Sequence, residues 1–288
     1  MSLNTLEEIA AYIVSEGKGI LAADESNPTC GKRFDSIGVE STENNRRDYR
    51  EMLFRSKGMK GNIGGVILFD ETIRQNAKDG TPLINIIEDQ GALPGIKVDK
   101  GLQPIGDSEE TVTVGLEGLD ERLKEYAAMG AKFTKWRAVI KIGDGMPSQE
   151  CIDANMKALA DYAKLVQDNG MVPMVEPEVL MDGGHSIDDC YEATERSLQS
   201  LFTHLIANEV NIKGTILKPN MVTSGSTAEK QAGVQEVAEK TVDCIVKNVP
   251  ASLPGITFLS GGQSDIHATA HLDAMNKLGG LLWKVSFS

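Results

Sequence analysis

The sequence is poor in aromatic, cysteine and histidine residues. Of 288 residues, 5% are aromatic, four are cysteine and four are histidine. It also lacks any run of about 18 apolar residues, the length a bilayer-spanning helix needs. Cys30, Cys151, Cys190 and Cys244 lie far apart with no CxxC pair. That spacing argues for reduced thiols and against a disulfide framework or a zinc knuckle. Among the histidines only His267 and His271 stand at i, i+4, and no third ligand neighbours them in sequence, so a zinc site has no support. Positive charge is scarce as well: 29 Lys and Arg face 42 Asp and Glu, a net charge of −13. Nucleic acid and anionic membrane surfaces both require a positive field, so neither is an expected partner. The N-terminus shows no signal-peptide pattern, which makes the cytoplasm the expected compartment, or a plastid had a transit peptide been removed.

What is present is alternation. Short β-rich runs fall at 19–24, 64–69, 94–99, 133–142, 171–180, 214–221, 255–260 and 281–288. Amphipathic stretches separate them. Leu116, Leu119, Leu123 and Tyr126 repeat at three- and four-residue steps before Gly130. Ser148 can cap a helix striped with Ile152, Met156, Leu159 and Val166 that stops at Gly170. Ser186 and Asp189 form a capping box ahead of Leu198, Leu201 and Leu205, and Val234–Val246 periodicity ends before Pro250. Eight strands with helical crossovers predict a (β/α)8 barrel over 1–288, with an open doubly wound sheet as the alternative. Polar stretches 101–115 and 224–232 read as long rim connections. Strand eight runs to the last residue, so the expected barrel lacks its final helix and C-terminal tail.

Charged residues inside these strands single out a site. Strand one ends in Asp24, with Glu25 and Ser26 following; strand three carries Lys97 and Asp99. Strand four carries Lys135 and Arg137, strand five Glu176 and Glu178, and strand six Lys218. Members of an i, i+2 pair face the same side of a strand. Interior charges are costly unless paired or functional, and these fall at the C-terminal strand ends where barrel active sites are built. Three lysines with several carboxylates suit amine chemistry and anion binding. An ordinary lysine, with pKa about 10.4, holds almost no free amine at neutral pH; burial and a neighbouring cation release it. Lys218 stands alone among Ile216, Leu217 and Pro219, and Lys135 can supply the cation. Ser260-Gly261-Gly262 after strand seven offers unobstructed N–H groups for a phosphate. Lys32 and Arg33, near Ser26, can hold a second, though a solvated helix start reads equally well.

The stretches GKGILAADES (17–26), IGGVILFDET (63–72), GIKVDKG (95–101), KWRAVIKI (135–142), VPMVEPEVL (172–180), GTILKPNMVT (214–223) and PGITFLSGGQS (254–264) resemble class I fructose-bisphosphate aldolases. The motifs run in family order over essentially the whole chain. The resemblance implies a metal-free, cofactor-free barrel lyase, usually a homotetramer, that cleaves fructose 1,6-bisphosphate in glycolysis. It implies that Lys218 forms the Schiff base, that Glu176 is the acid/base with Glu178 beside it, and that Asp24 takes the C4 hydroxyl proton. Lys135 and Arg137 would be the charged pair beside the Schiff base and substrate. Ser260 and Gly261 would hold the C1 phosphate, with Ser288 at the end of strand eight also a candidate; Ser26, Arg33 and Lys97 would lie near the C6 phosphate. The family pattern continues after strand eight into an arginine that clamps phosphate, and this sequence departs from it there. A related lysine aldolase or transaldolase, or a catalytically impaired binding scaffold, are the alternative functions.

Overall fold

The computed structural model describes residues 3–288; Met1 and Ser2, the start of the predicted 1–288 span, lie outside the described residues. The eight predicted strands are found as β1 (Gly19–Ala23), β2 (Ile63–Leu68), β3 (Leu93–Lys97), β4 (Phe133–Ile140), β5 (Val172–Val179), β6 (Ile216–Leu217), β7 (Gly255–Phe258) and β8 (Lys284–Phe287). They pair in parallel, each with the next, into one eight-stranded sheet. The ladder runs from β1 to β8 but does not join them. That seam is closed by side chains instead. The Ser286 hydroxyl donates to the Lys18 carbonyl at 2.7 Å. The Phe287 ring occupies the space that a side chain on Gly19 would need.

Among the described residues there are ten α-helices, one ahead of β1 and nine between the strands. The capped ones follow their sequence signals closely. The Ser148 hydroxyl accepts from the Cys151 N–H to open α7 (Gln149–Asp168), and the Ser186/Asp189 box opens α8 (Ile187–Ala207). The helix predicted from Leu116 begins later, as α6 (Leu119–Ala128). Helix α9 (Val234–Asn248) ends ahead of Pro250 as expected. The stretch 101–115, read as a loop, contains a short antiparallel hairpin, Leu102–Pro104 against Thr111–Thr113. Buried Asn155 on α7 pins it, donating to the Thr111 carbonyl at 2.7 Å and accepting from the Thr113 N–H at 3.2 Å.

Strand six departs most from expectation, because only two residues pair where eight were predicted. Pro219 has no N–H to offer a ladder. Past it, the Asn220 side chain takes over: Oδ1 accepts from the Val179 N–H at 3.0 Å and Nδ2 donates to the Thr194 hydroxyl at 3.0 Å. The Asn220 side chain thus adds to the main-chain bonds of Lys218 with Val175 and of Leu259 with Pro219 in tying this segment to its neighbours.

Inside the barrel, the N-terminal half is apolar. Ile20, Ile67, Phe133, Val172, Met174 and Ile216 cluster with Ile9, Ala10, Ile13 and Val14 of α1 (Leu6–Ile13) and the residue after it, which plug the N-terminal end. Phe133 fits because β3 offers Gly95, where a Cβ would overlap the ring. Trp136, Val175 and Leu217 point the other way, into the layer shared with the surrounding helices.

Candidate functional site

Two residues further along four of the strands, β1, β4, β5 and β6, the same interior face turns from apolar to charged. Phe133 is followed by Lys135, Met174 by Glu176, Ile216 by Lys218, and Ile20 and Ala22 by Asp24. The parallel register places Lys97 opposite Lys135 and Arg137 opposite Glu176. Lys135 Nζ lies 2.8 Å from Asp24 Oδ2 and 3.1 Å from Glu176 Oε2. Lys218 Nζ lies 3.1 Å from Glu176 Oε1. One carboxylate therefore bridges the side-chain nitrogens of two lysines, with Lys135, Glu176 and Lys218 each only 4% exposed. Glu176 Oε2 makes its contact with Lys135 without an aligned hydrogen bond.

The electrostatics follow from this geometry. Burial alone would raise the Asp24 carboxyl, but Lys135 and then Lys218 override it and hold its pKa below the ordinary value. Glu176 is lowered for the same reasons, burial opposed by Lys135 and Lys218. Burial disfavours the Lys135 ammonium, yet Asp24 and Glu176 outweigh that and push its pKa up. Lys135 is thus a standing cation beside the carboxylate that holds Lys218.

Glu178 pairs with Arg137, not with either lysine. Burial works against the Arg137 guanidinium, and its bond to Glu178 raises its pKa regardless. Lys97 pairs with Asp99 and donates to the Asp99 carbonyl at 3.0 Å. Asp24, Ser26, Lys97, Lys135 and Arg137 all line one cavity of about 840 Å³ at the C-terminal end of the barrel. Ser26 caps α2 (Asn27–Asp35), accepting from the Thr29 N–H at 3.4 Å. Arg33 lies outside the cavity walls, is exposed, and pairs with Glu25 at 2.5 Å. Lys32 is exposed.

Ser260 and Gly261 follow β7. Gly261 and Gly262 take φ of 61° and 91°, left-handed values that favour glycine. A Cβ on Gly261 would stand 4.0 Å from Glu178 Oε1, so this turn adjoins the Arg137–Glu178 pair. The Ser288 N–H donates to the Phe258 carbonyl at 2.9 Å, which sets it beside the end of β7. The structure therefore joins Asp24, Lys135, Glu176 and Lys218 directly and gathers Ser26, Lys97 and Arg137 around one cavity. Arg33, Ser260, Gly261 and Ser288 sit at neighbouring strand and helix ends.

Sequence reasoning named Glu25 after strand one but gave it no role. Its carboxylate accepts from the Arg33 guanidinium at 2.5 Å and the Tyr49 hydroxyl at 3.1 Å, and fully buried Arg50 lies 3.6 Å away. Arg74 and Arg122, which also line the cavity, were passed over, and Tyr126, another lining residue, was read only as part of a helix stripe. They sit on loops and helices, where no strand periodicity marks them. Among the described residues, no three His, Cys, Asp or Glu side chains gather as a metal-binding group. His267 and His271 stack with ring centres 6.1 Å apart.

A model of the family described as fructose-bisphosphate aldolase class-I matches residues 5–288. The chain belongs to the class I fructose-bisphosphate aldolase family. This aldolase is 56% identical to a probable fructose-bisphosphate aldolase class 1 of Xanthomonas campestris, with all of the chain and 86% of that relative aligned. It is 52% identical to the cytosolic fructose-bisphosphate aldolase 6 of Arabidopsis thaliana, over 97% of the chain and 78% of the relative. Its fold is similar to the fructose-bisphosphate aldolase of Plasmodium falciparum, solved in complex with TRAP and a small-molecule inhibitor. That likeness has a TM-score of 0.97 at 46% identity, covering 98% of this chain and 82% of that one. Seven motifs in family order were thus a sound guide. The barrel, the aldolase family and the lyase class all stand, and no helix among the described residues is long and apolar enough to cross a membrane.

Proposed function

We propose that this aldolase cleaves fructose 1,6-bisphosphate through a Schiff base on Lys218. The observation that carries the assignment is Glu176, bridging Lys135 and Lys218 inside the barrel. Glu176 Oε1, 3.1 Å from Lys218 Nζ, is placed to accept the lysine's proton. The free amine then adds to the C2 carbonyl of the ketose, and Glu176 returns the proton to the carbinolamine hydroxyl, which leaves as water. The iminium so formed is an electron sink. Asp24, an anion by virtue of Lys135, takes the C4 hydroxyl proton, the C3–C4 bond breaks, and glyceraldehyde 3-phosphate departs. Its bonding electrons rest in an enamine. Protonation at C3 and hydrolysis of the imine release dihydroxyacetone phosphate and regenerate Lys218. Only the lysine and the carboxylates move protons, so the scheme calls for no metal and no cofactor.

Lys135 favours the ionised forms of Asp24 and Glu176, from which each accepts its proton. Arg137, Lys97, Ser26 and Arg33 supply positive charge and donors for one phosphate end, and Ser260, Gly261 and Ser288 for the other. Contacts at the remote phosphates position the reacting carbons. Glu178 orients Arg137. A cytoplasmic homotetramer in glycolysis is the assembly and setting that the family resemblance supports; sedimentation would then give four times the 31.1 kDa chain mass.

The deciding experiment is borohydride trapping with dihydroxyacetone phosphate. The adduct is expected on Lys218 and is expected to be absent in Lys218→Met. An adduct on another lysine would refute the assignment, and a folded protein that traps nothing at any pH would make it a binding scaffold. Equal cleavage of unphosphorylated ketoses would favour a different lysine aldolase.

A further inference from the structure

Resting on the assignment of 260–261 to phosphate, we propose that His271 is a positioning residue for the turn after β7, acting through Gln263. Gln263 Nε2 donates to the Ser260 carbonyl at 2.9 Å and approaches Met221 Sδ at 3.5 Å. Its main-chain N–H donates to the same carbonyl at 3.1 Å. One residue thus ties the Ser260–Gly262 turn to the segment three residues past Lys218. A second strut joins the same two segments: the Leu259 N–H donates to the Pro219 carbonyl at 3.1 Å.

The amide of Gln263 can grip Ser260 only with Nε2 facing the carbonyl, which turns Oε1 away. Oε1 meets His271 Nδ1 at 2.6 Å. An accepting oxygen requires the proton on Nδ1, so this contact sets the tautomer of the ring as well as the face of the amide. His271 is 7% exposed, on α10 (Asp265–Leu278), and the helix fixes where its ring can reach. Burial, followed by repulsion from His267, holds it below the ordinary histidine range, consistent with a neutral ring that donates through Nδ1.

The turn needs such a clamp because two consecutive glycines, both at positive φ, leave it much freedom in isolation. Ordering it before the substrate arrives removes that cost from binding. The clamp touches no reacting atom, so its loss falls on KM and leaves the chemical step alone.

The test is steady-state kinetics on fructose 1,6-bisphosphate. His271→Leu is expected to raise KM roughly fivefold, the worth of one hydrogen bond, with kcat within about twofold. His271→Asn keeps an N–H donor for Gln263 Oε1 and is expected to restore KM. Gln263→Met is expected to match His271→Leu, and the double variant to be no worse than either. Gln263 lies outside the helix, so it carries the test should His271→Leu not fold. Gly261→Ala gauges the phosphate assignment and is expected to raise KM. If it does while His271→Leu and Gln263→Met leave KM unchanged, the clamp is refuted and the assignment stands. If Gly261→Ala leaves KM unchanged, the assignment fails and the clamp falls with it. Equal KM in the Leu and Asn variants also overturns the proposal, because a purely packing role would not distinguish them.

Discussion

The two halves of the barrel interior are built on the same strands and obey opposite rules. In the N-terminal half, Phe133, Met174 and Ile216 are packed by shape against α1 and against Gly95. In the C-terminal half, two residues on, Lys135, Glu176 and Lys218 are held by charge. Burying a large apolar side chain contributes about 1.5–3 kcal/mol. Burying an ion pair contributes little net stability, because desolvation offsets the attraction. One half therefore supplies stability, and the other spends buried volume on reactivity.

That division can be broken from either side. The largest effect is expected at Glu176. Glu176→Gln removes the group that exchanges protons with Lys218 and should slow cleavage by about 10²–10⁴-fold. Trapping should slow with it, and rates within tenfold of the parent would remove Glu176 from the proton path. Phe133→Ala attacks the other half. It should cost about 3–5 kcal/mol of stability by denaturant unfolding, while the molecules that remain folded still trap substrate on Lys218. Loss of trapping without loss of stability would show that the two halves are not separable.

A smaller effect sharpens the comparison. Asp24 and Glu176 both have pKa values lowered in the folded protein, against burial, by Lys135 and Lys218. A depressed carboxylate adds stability that is present above its unfolded pKa, about 4, and is lost as pH falls through the lower folded value. The acid limb of activity should accordingly lie below the ordinary carboxylate range. Lys135→Met removes the nearest cation, so both carboxyls should rise and the limb should move to higher pH. A pH profile of trapping that does not move would refute Lys135 as their counter-ion.

Much of this was legible without coordinates, for a reason visible in particular residues. Strand side chains alternate, so Phe133–Lys135, Met174–Glu176 and Ile216–Lys218 announce a shared face whose polarity changes along the strand. Seven motifs in family order then named the family. The pairing of Glu178 with Arg137 was not legible, because Glu176 and Glu178 share a face and nothing local says which cation each meets. Glu25 was named without a role because its partners Arg33, Tyr49 and Arg50 arrive from α2 and α3 (Glu43–Phe54), far outside any strand repeat. The hairpin in 101–115 was missed because Asn155, 44 residues beyond Thr111 and 42 beyond Thr113, satisfies its backbone.

The amino-acid sequence by itself determined the alternation of strands and helices, the helix starts at Ser148 and Ser186, and the interior face on which Asp24, Lys135, Glu176 and Lys218 appear. Those depend on periodicity and on capping, both of which act within a few residues. Tertiary structure alone decided which oxygen of Glu176 meets which lysine, how the Asn220 side chain reaches Val179 and Thr194 beyond the end of β6, and how His271 reaches Gln263. Those depend on distances between segments remote in the chain, which only the closing of the barrel brings within hydrogen-bonding range.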